Sequence, residues 1–425
     1  MNIKTFLLGS VATALLASNA YAASPVIAVP DAGKELRSCD AYEAGYFYIP
    51  GTETCLKFSG SVYSDLTAGD NVDTFQLGKK QKDADVWDNK LNNSTYSAAI
   101  NFKLSASTAS ETELGTLRST GTISYKYANG NSDGPAASVS SAYLSLGGLR
   151  IGYAGTNFND WVGGYGAVIN DGNITPNDGP KTIYAAYTFN AGNGFSALIG
   201  AEQGLKYSDD KWGSITNKEG LVEHYAIVND APKEDYAGDD DTIGGINKDN
   251  VPNIVGGLKF TQGWGGLAAS AVYESDIAKW AGKLRADLNV NDQFNVWLMG
   301  GYKSSKDYYI ADKPSDLLGA PALAYRVPQS AYATWGGSWA VWGGTTLKAT
   351  PKANVNVQLS YDEKQTFSAV AGVDYTLVKD LVITPEIAYT AWNDSFSLTA
   401  AEETVEYSLK GKTAFKGQLR ISRKF

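Results

Sequence analysis

From Leu56 to the C-terminus, apolar residues recur at every second position in one segment after another, which is the period of a strand and not of a helix. In the clearest segment Val355, Val357, Leu359 and Tyr361 alternate with Asn354, Asn356, Gln358, Ser360 and Asp362, so one face is greasy and the other wet. Trp280, Gly282, Leu284, Ala286 and Leu288 alternate in the same way with Lys279, Lys283, Arg285 and Asp287, and residues 294–302 and 367–377 follow suit. Sixteen strands are predicted, with starts near Leu56, Tyr96, Thr116, Val139, Leu149, Thr182, Phe195, Asn253, Leu267, Trp280, Gln293, Ser338, Asn354, Thr366, Leu381 and Ala414.

The connections fall into two alternating kinds. Short ones at residues 147–148, 191–194, 262–266, 289–292, 350–353 and 379–380 carry the Gly, Asn, Asp and Pro that tight turns need. Between them lie mostly long ones, at 67–94, 128–137, 155–181, 204–252, 303–337 and 393–412, with short exceptions near Ser275 and Glu363. Alternating short and long connections predict an all-β, sixteen-stranded antiparallel transmembrane β-barrel with tight periplasmic turns, extended external loops and both termini in the periplasm. Aromatic placement agrees. Phe294 and Tyr302, like Phe367 and Tyr375, stand eight residues apart on the greasy parity. At about 3.3 Å per residue and a tilt near 40°, that separation rises roughly 20 Å, the height of an apolar band between two interfacial girdles. A soluble sandwich would scatter its aromatics through a core, and a propeller would repeat every 40–50 residues or so, which this chain does not.

Composition narrows the remaining choices. The chain has 45 Gly, 26 Tyr, 14 Phe and 10 Trp beside 2 Met, 2 Cys and 1 His, a β-rich profile. Its net charge of -9 argues against a nucleic-acid partner, which wants a basic face. Lys4, an apolar run over residues 6–17 and Ala20-Tyr21-Ala22 read as a secretory signal peptide over residues 1–22, exporting the chain to the outer membrane. Residues 23–54 then form an N-terminal periplasmic segment ahead of a barrel domain over 55–425. Cys39 and Cys55, an isolated pair in an exported chain, are most simply one disulfide; free thiols, or a metal pair with no visible third ligand, are the alternatives. The sole histidine, His224, sits in a long loop with no triad pattern, so no catalytic residue, cofactor or metal is expected.

CDAYEAGYFYIPGTETC at residues 39–55 resembles the alphaproteobacterial general porins of the rhizobial type, outer-membrane trimers. The likeness continues through SETELGTL at 110–117, LGGLRIG at 146–152, VIND at 168–171, GNGFSA at 192–197, VGGLK at 255–259, WAVWGG at 339–344 and ITPE at 383–386. The long segments 67–94, 204–252 and 303–337 depart from the family's pattern, as external loops do. The resemblance implies a general diffusion porin, a homotrimer of water-filled channels passing small hydrophilic solutes and ions. It also implies that the third external loop folds into each pore. Taken by themselves, the loop residues, with Asp160, Asp171 and Asp178 among glycines, serve an ordinary surface loop equally well.

Sixteen tilted strands leave an aqueous channel too wide for side chains to fill. Basic residues on the wet parity, Lys57, Lys103, Arg118, Arg150 and Arg420, with Lys283, Arg285 and Lys416, are expected on the pore wall, where they face acids of the loop across a transverse field. Aromatics such as Trp161, Tyr165, Trp297 and Trp342 leave a substrate-selective channel for a sugar or an ion as the alternative function. Gly60, Ser119, Gly121 and Ser140 fall on the greasy parity of the first four strands, where small residues suit contact with another subunit. Pro385 predicts a bulge or strand end, and the terminal Phe425 is an assembly signal for barrel-assembly machinery. Lipid and lipopolysaccharide are the surroundings; Asp239 to Asp241 and the acidic run at 83–88 fall on external loops.

Overall fold

The computed structural model describes residues 37–39, 41–72, 77–78, 96–128, 136–164, 166–170, 174, 176, 179, 181–204, 224–227, 251–312, 323–400 and 403–425. The signal-peptide reading, Asp171, Asp178 and both acidic runs lie outside those residues.

The alternating segments pair into one closed antiparallel barrel. Its strands, in chain order, are β1 (Cys55–Gly69), β2 (Tyr96–Thr112), β3 (Gly115–Ala128), β4 (Ala136–Leu146), β5 (Leu149–Gly155), β6 (Lys181–Asn190), β7 (Phe195–Glu202) and β8 (Asn253–Gln262). They continue as β9 (Gly265–Glu274), β10 (Lys279–Asn291), β11 (Phe294–Lys303), β12 (Trp339–Thr350), β13 (Ala353–Asp362), β14 (Phe367–Val378), β15 (Leu381–Trp392) and β16 (Lys412–Lys424). Each strand pairs with its neighbours in sequence, and β16 pairs with β1, so no edge is left open. Phe425 extends that last ladder: its N–H and carbonyl exchange bonds of 3.0 and 2.8 Å with Gly60.

The greasy parity faces outward. Ile199, Leu284 and Leu298 are each at least 60% exposed, in a band no water-soluble chain sustains. At the loop end of this band Trp280 meets Tyr302 at 5.4 Å and Trp339 meets Tyr361 at 6.0 Å, ring to ring. These cross-strand pairs form the expected girdle.

Three local expectations change. Ser140 sits at a bulge in β4 where the pairing to β3 shifts between Thr122 and Ile123, and its hydroxyl bonds Ser124 on the inner face, not the lipid face. Gly60 does face outward, but the Phe425 ring lies on it: a Cβ there would sit 2.6 Å from the ring, which accounts for the glycine without a neighbouring subunit. Pro385 produces neither a bulge nor an end. It pairs with Leu419 on one side, while on the other the ladder skips Val373 and Asp374 and resumes in the same register. The Asp374 carboxylate bridges the gap, accepting from Thr384 at 2.6 Å and Asn356 at 2.9 Å.

At the turn end, Cys39 and Cys55 are joined in a disulfide, and Phe47–Tyr48 pairs with the start of β1. At the loop end, short strands at Leu77–Gly78, His224–Ile227, Asp307–Asp312 and Leu323–Pro328 form a separate four-stranded sheet, and Ser395–Ala400 pairs with Glu403–Ser408.

Candidate pore constriction

The third long connection leaves β5 at Gly155 and turns at once into the lumen. Thr156 caps a short helix, α1 (Asn157–Val162), its hydroxyl accepting from the Phe158 N–H at 3.1 Å, and Gly163 ends it in the left-handed region at φ 78°. Phe158 and Val162 are buried against inward residues of β8 and β9 such as Val255 and Ala268. Trp161 lies flat on β8 because Gly257 has no side chain; a Cβ there would stand 2.5 Å from the indole. The Lys259 ammonium sits 4.7 Å over the same ring.

The barrel wall hooks this loop along its length. Glu202 at the end of β7 accepts from Thr156 Oγ1 at 2.7 Å, from the Asn157 N–H at 2.7 Å and from Asn157 Nδ2 at 2.9 Å. Ser270 on β9 donates to the Phe158 carbonyl at 2.8 Å; Lys283 on β10 donates to Asn159 and to the Pro176 carbonyl, and Arg285 to the Gly164 carbonyl. Trp342 on β12 donates to the Ile174 carbonyl at 3.0 Å, and Gln358 on β13 accepts from the Gly166 N–H at 3.4 Å. Finally Glu386 on β15 accepts from the N–H groups of Ile169 and Asn170 at 2.6 and 2.7 Å. In a ring of sixteen, β7 and β15 stand eight strands apart. The loop therefore crosses from one wall to the opposite one. The surface-loop reading is excluded by those two carboxylates.

The two halves of the lumen differ in kind. On the β7–β13 side α1 and the wall share an apolar cluster that includes Leu198, Trp297, Met299 and Trp342. On the β16 and β1–β5 side the wall is hydroxylic and charged, with cross-strand pairs such as Ser105 with Thr122 at 2.8 Å and Ser107 with Thr120 at 3.1 Å.

The predicted wall cations separate into groups. Lys103 is exposed on the inner face of β2. Lys126, on the same parity as Arg118 and exposed, is a further inner-face cation that the alternation marks. Arg150 stacks 3.8 Å over Tyr143 and 5.4 Å from Tyr184, within electrostatic reach of Asp160 on α1. Enclosure by protein pushes the Asp160 carboxyl above its ordinary range, and the Arg150 charge works against that. Arg420 makes two bonds to Asp65, at 2.6 and 2.8 Å, and stacks 4.4 Å over Tyr63, so its charge is compensated on the spot.

Lys57 and Arg118 instead meet the disulfide segment at the turn end. Lys57 pairs with Glu43 at 3.3 Å and Arg118 lies 5.4 Å over Tyr42. Lys283 and Arg285, expected on the pore wall facing the loop's acids, instead bond the loop directly as its anchors, Lys283 being 4% exposed. The described residues hold no cluster of three or more metal-binding side chains.

Comparison with known proteins agrees over the whole chain. A family model described as Porin subfamily matches residues 24–418. Porin Omp2b of Brucella canis is 37% identical over 435 residues, covering 100% of both chains, and Porin Omp2b of Brucella suis is 38% identical over 434 residues with the same coverage. Among solved structures, the outer membrane channel DcaP of Acinetobacter baumannii superposes with a TM-score of 0.52 at 15% identity, covering 89% of this chain and 99% of that one. At that identity the likeness speaks for the barrel fold alone.

Proposed function

The chain belongs to the porin family and is an outer-membrane channel for small hydrophilic solutes, not an enzyme, and from that premise we propose where and how the channel is narrowed. The passage runs between loop 3 (residues 156–180) and the wall of β16 and β1–β5. Asp160, and by expectation Asp171 and Asp178, present acid on the loop side; Lys103, Lys126 and Arg150 present base on the wall. A field across a narrow aqueous section orients dipolar solutes and rejects apolar ones, which recover none of the hydration they lose. The observation that carries this reading is the hooking of one loop by carboxylates on opposite walls, Glu202 and Glu386.

Planar-bilayer recordings test it. Glu386→Gln, which weakens the far hook, should raise single-channel conductance and the size of the largest neutral sugar that passes. Replacing Lys103 and Arg150 with Glu should shift the reversal potential in a salt gradient toward cations. Unchanged reversal potentials would remove both residues from the eyelet, and saturable sugar flux would favour the selective-channel alternative.

The finer arrangement is part of the same proposal. Residues 1–22 are a cleaved export signal, and residues 23–54 lie on the periplasmic side. Three copies associate, with Ser119 and Gly121 on outer faces that touch protein in place of lipid. Phe425 is read by the assembly machinery, and lipopolysaccharide surrounds the external rim.

A further inference from the structure

A second segment enters the lumen, from the long connection between β11 and β12. Residues 330–338 lie inside the barrel mouth, with Tyr332 and Ala333 fully buried. Five strands hold them. Glu274 on β9 accepts from the Ser330 hydroxyl and, at 3.0 Å, from the Ala331 N–H. Lys303 on β11 donates to the carbonyls of Ala333 and Trp335 at 3.0 and 2.7 Å. Asp362 on β13 accepts from the Gly336 N–H at 2.9 Å, and Trp335 stacks edge-on against Trp342 of β12 at 5.4 Å. On β8, Asn253 donates to the Tyr332 hydroxyl at 3.2 Å.

This segment also touches the constriction loop. The Tyr332 ring meets Phe158 of α1 edge to face at 6.2 Å, and the Tyr332 hydroxyl bonds Glu202, the carboxylate that already holds Thr156 and Asn157. Trp335 lies 5.7 Å from the Lys283 ammonium, which holds Asn159 and Pro176. Two of the loop's hooks therefore have a second partner in residues 330–338.

We propose that residues 330–338 are a bracket that fixes α1 against the β8–β10 wall, with Tyr332 as the positioning residue, so that channel width is set jointly by two connections. The proposal rests on the reading that loop 3 narrows the channel. Without the Tyr332 ring, α1 keeps its wall contacts but loses the face above it and shares Glu202 with nothing. The helix then samples positions further from the bracket, and the passage widens intermittently.

The test is single-channel recording of Tyr332→Ala, Tyr332→Phe and Glu386→Gln in the full chain, each first shown folded by its heat-modifiable band on a gel. Tyr332→Ala should raise mean conductance by about 1.5-fold and add transitions between open levels, as a wider, less fixed aqueous section gives. Tyr332→Phe keeps the ring and should give the parent conductance with added open-level noise, because only the hydroxyl's bonds, to Glu202 and Asn253, are lost. A Tyr332→Ala channel identical to the parent, beside an altered Glu386→Gln channel, overturns the bracket and leaves the constriction standing. If Glu386→Gln and Tyr332→Ala both match the parent, the constriction reading itself has failed. Should Tyr332→Ala not fold, Ser330→Ala, which frees one Glu274 oxygen and leaves the ring in place, should raise the number of open levels, and an unchanged record overturns the bracket equally.

Discussion

Single residues in this barrel are constrained by what lies on the far side of the wall they sit in. Asp307, just beyond β11, pairs with Lys303 at 2.9 Å and Arg326 at 3.1 Å and accepts from the Gly337 N–H at 2.6 Å. Burial works to raise its carboxyl, but the two cations and the N–H outweigh it and hold the group below the ordinary carboxylate range. A depressed folded value means that the stabilisation is complete above the unfolded value of about 3.9 and is lost as pH falls through the folded one. Asp307→Asn, which leaves Lys303 buried and uncompensated, should cost about 3 kcal/mol at neutral pH. In gel-shift melting the gap between parent and variant should stay constant from pH 7 to about pH 5 and close only below pH 4 or so; parallel curves down to pH 3 would contradict the assignment. Gly60 gives a second case. Gly60→Val drives a Cβ to 2.5 Å from the Lys103 carbonyl and 2.6 Å from the Phe425 ring. It should lower the melting of the folded band through a loss of about 1–3 kcal/mol at the β16–β1 seam, while a substitution at the open Gly300 should not.

At the scale of elements, α1 is too short to stand without its ends. Thr156 both caps the helix and donates to Glu202, so one side chain joins helix to wall. Thr156→Ala should weaken that junction by about 1–2 kcal/mol, and the channel should show added open-level noise while the barrel's melting barely moves, since α1 contributes nothing to the strand ladder. A large melting shift would mean that the loop stabilises the barrel as a whole. The strands themselves were legible almost to the residue, because alternation is written locally and repeats along each one. Every one of the sixteen starts within three residues of where the pattern places it. The slip at Ser140 was not legible, since a bulge is one extra residue that only the partner strand reveals. Pro385 escapes the alternation for a different reason: the ladder to β14 skips the pairs around its missing N–H and resumes in the same register, while the pairing to Leu419 on the other side is kept.

For the molecule as a whole, residues 41–54 are pinned to β1 at the turn end by the Cys39–Cys55 disulfide and the Phe47–Tyr48 pairing, with Glu43 and Tyr42 set against Lys57 and Arg118. Replacing both cysteines with Ser should leave the barrel folded but remove about 3 kcal/mol of loop-closure stabilisation. Freed from Glu43 and Tyr42, Lys57 and Arg118 then add positive charge to that mouth. The reversal potential should move toward anions as a result, and no movement would place that segment away from the ion path.

The strand count, the sign of each face and the presence of a channel follow from period-two alternation, a property any stretch of this chain carries within itself. Nothing local tells residue 386 that it will hold residues 169 and 170, or residue 202 that it will hold both α1 and Tyr332. Closure of the ring decided that, by bringing β7 and β15 face to face across the lumen and two distant connections into the space between them. That Lys283 and Arg285 are consumed as anchors of the entering loop follows from the same closure, because a charge is paired according to what the far wall and the entering loops bring to it.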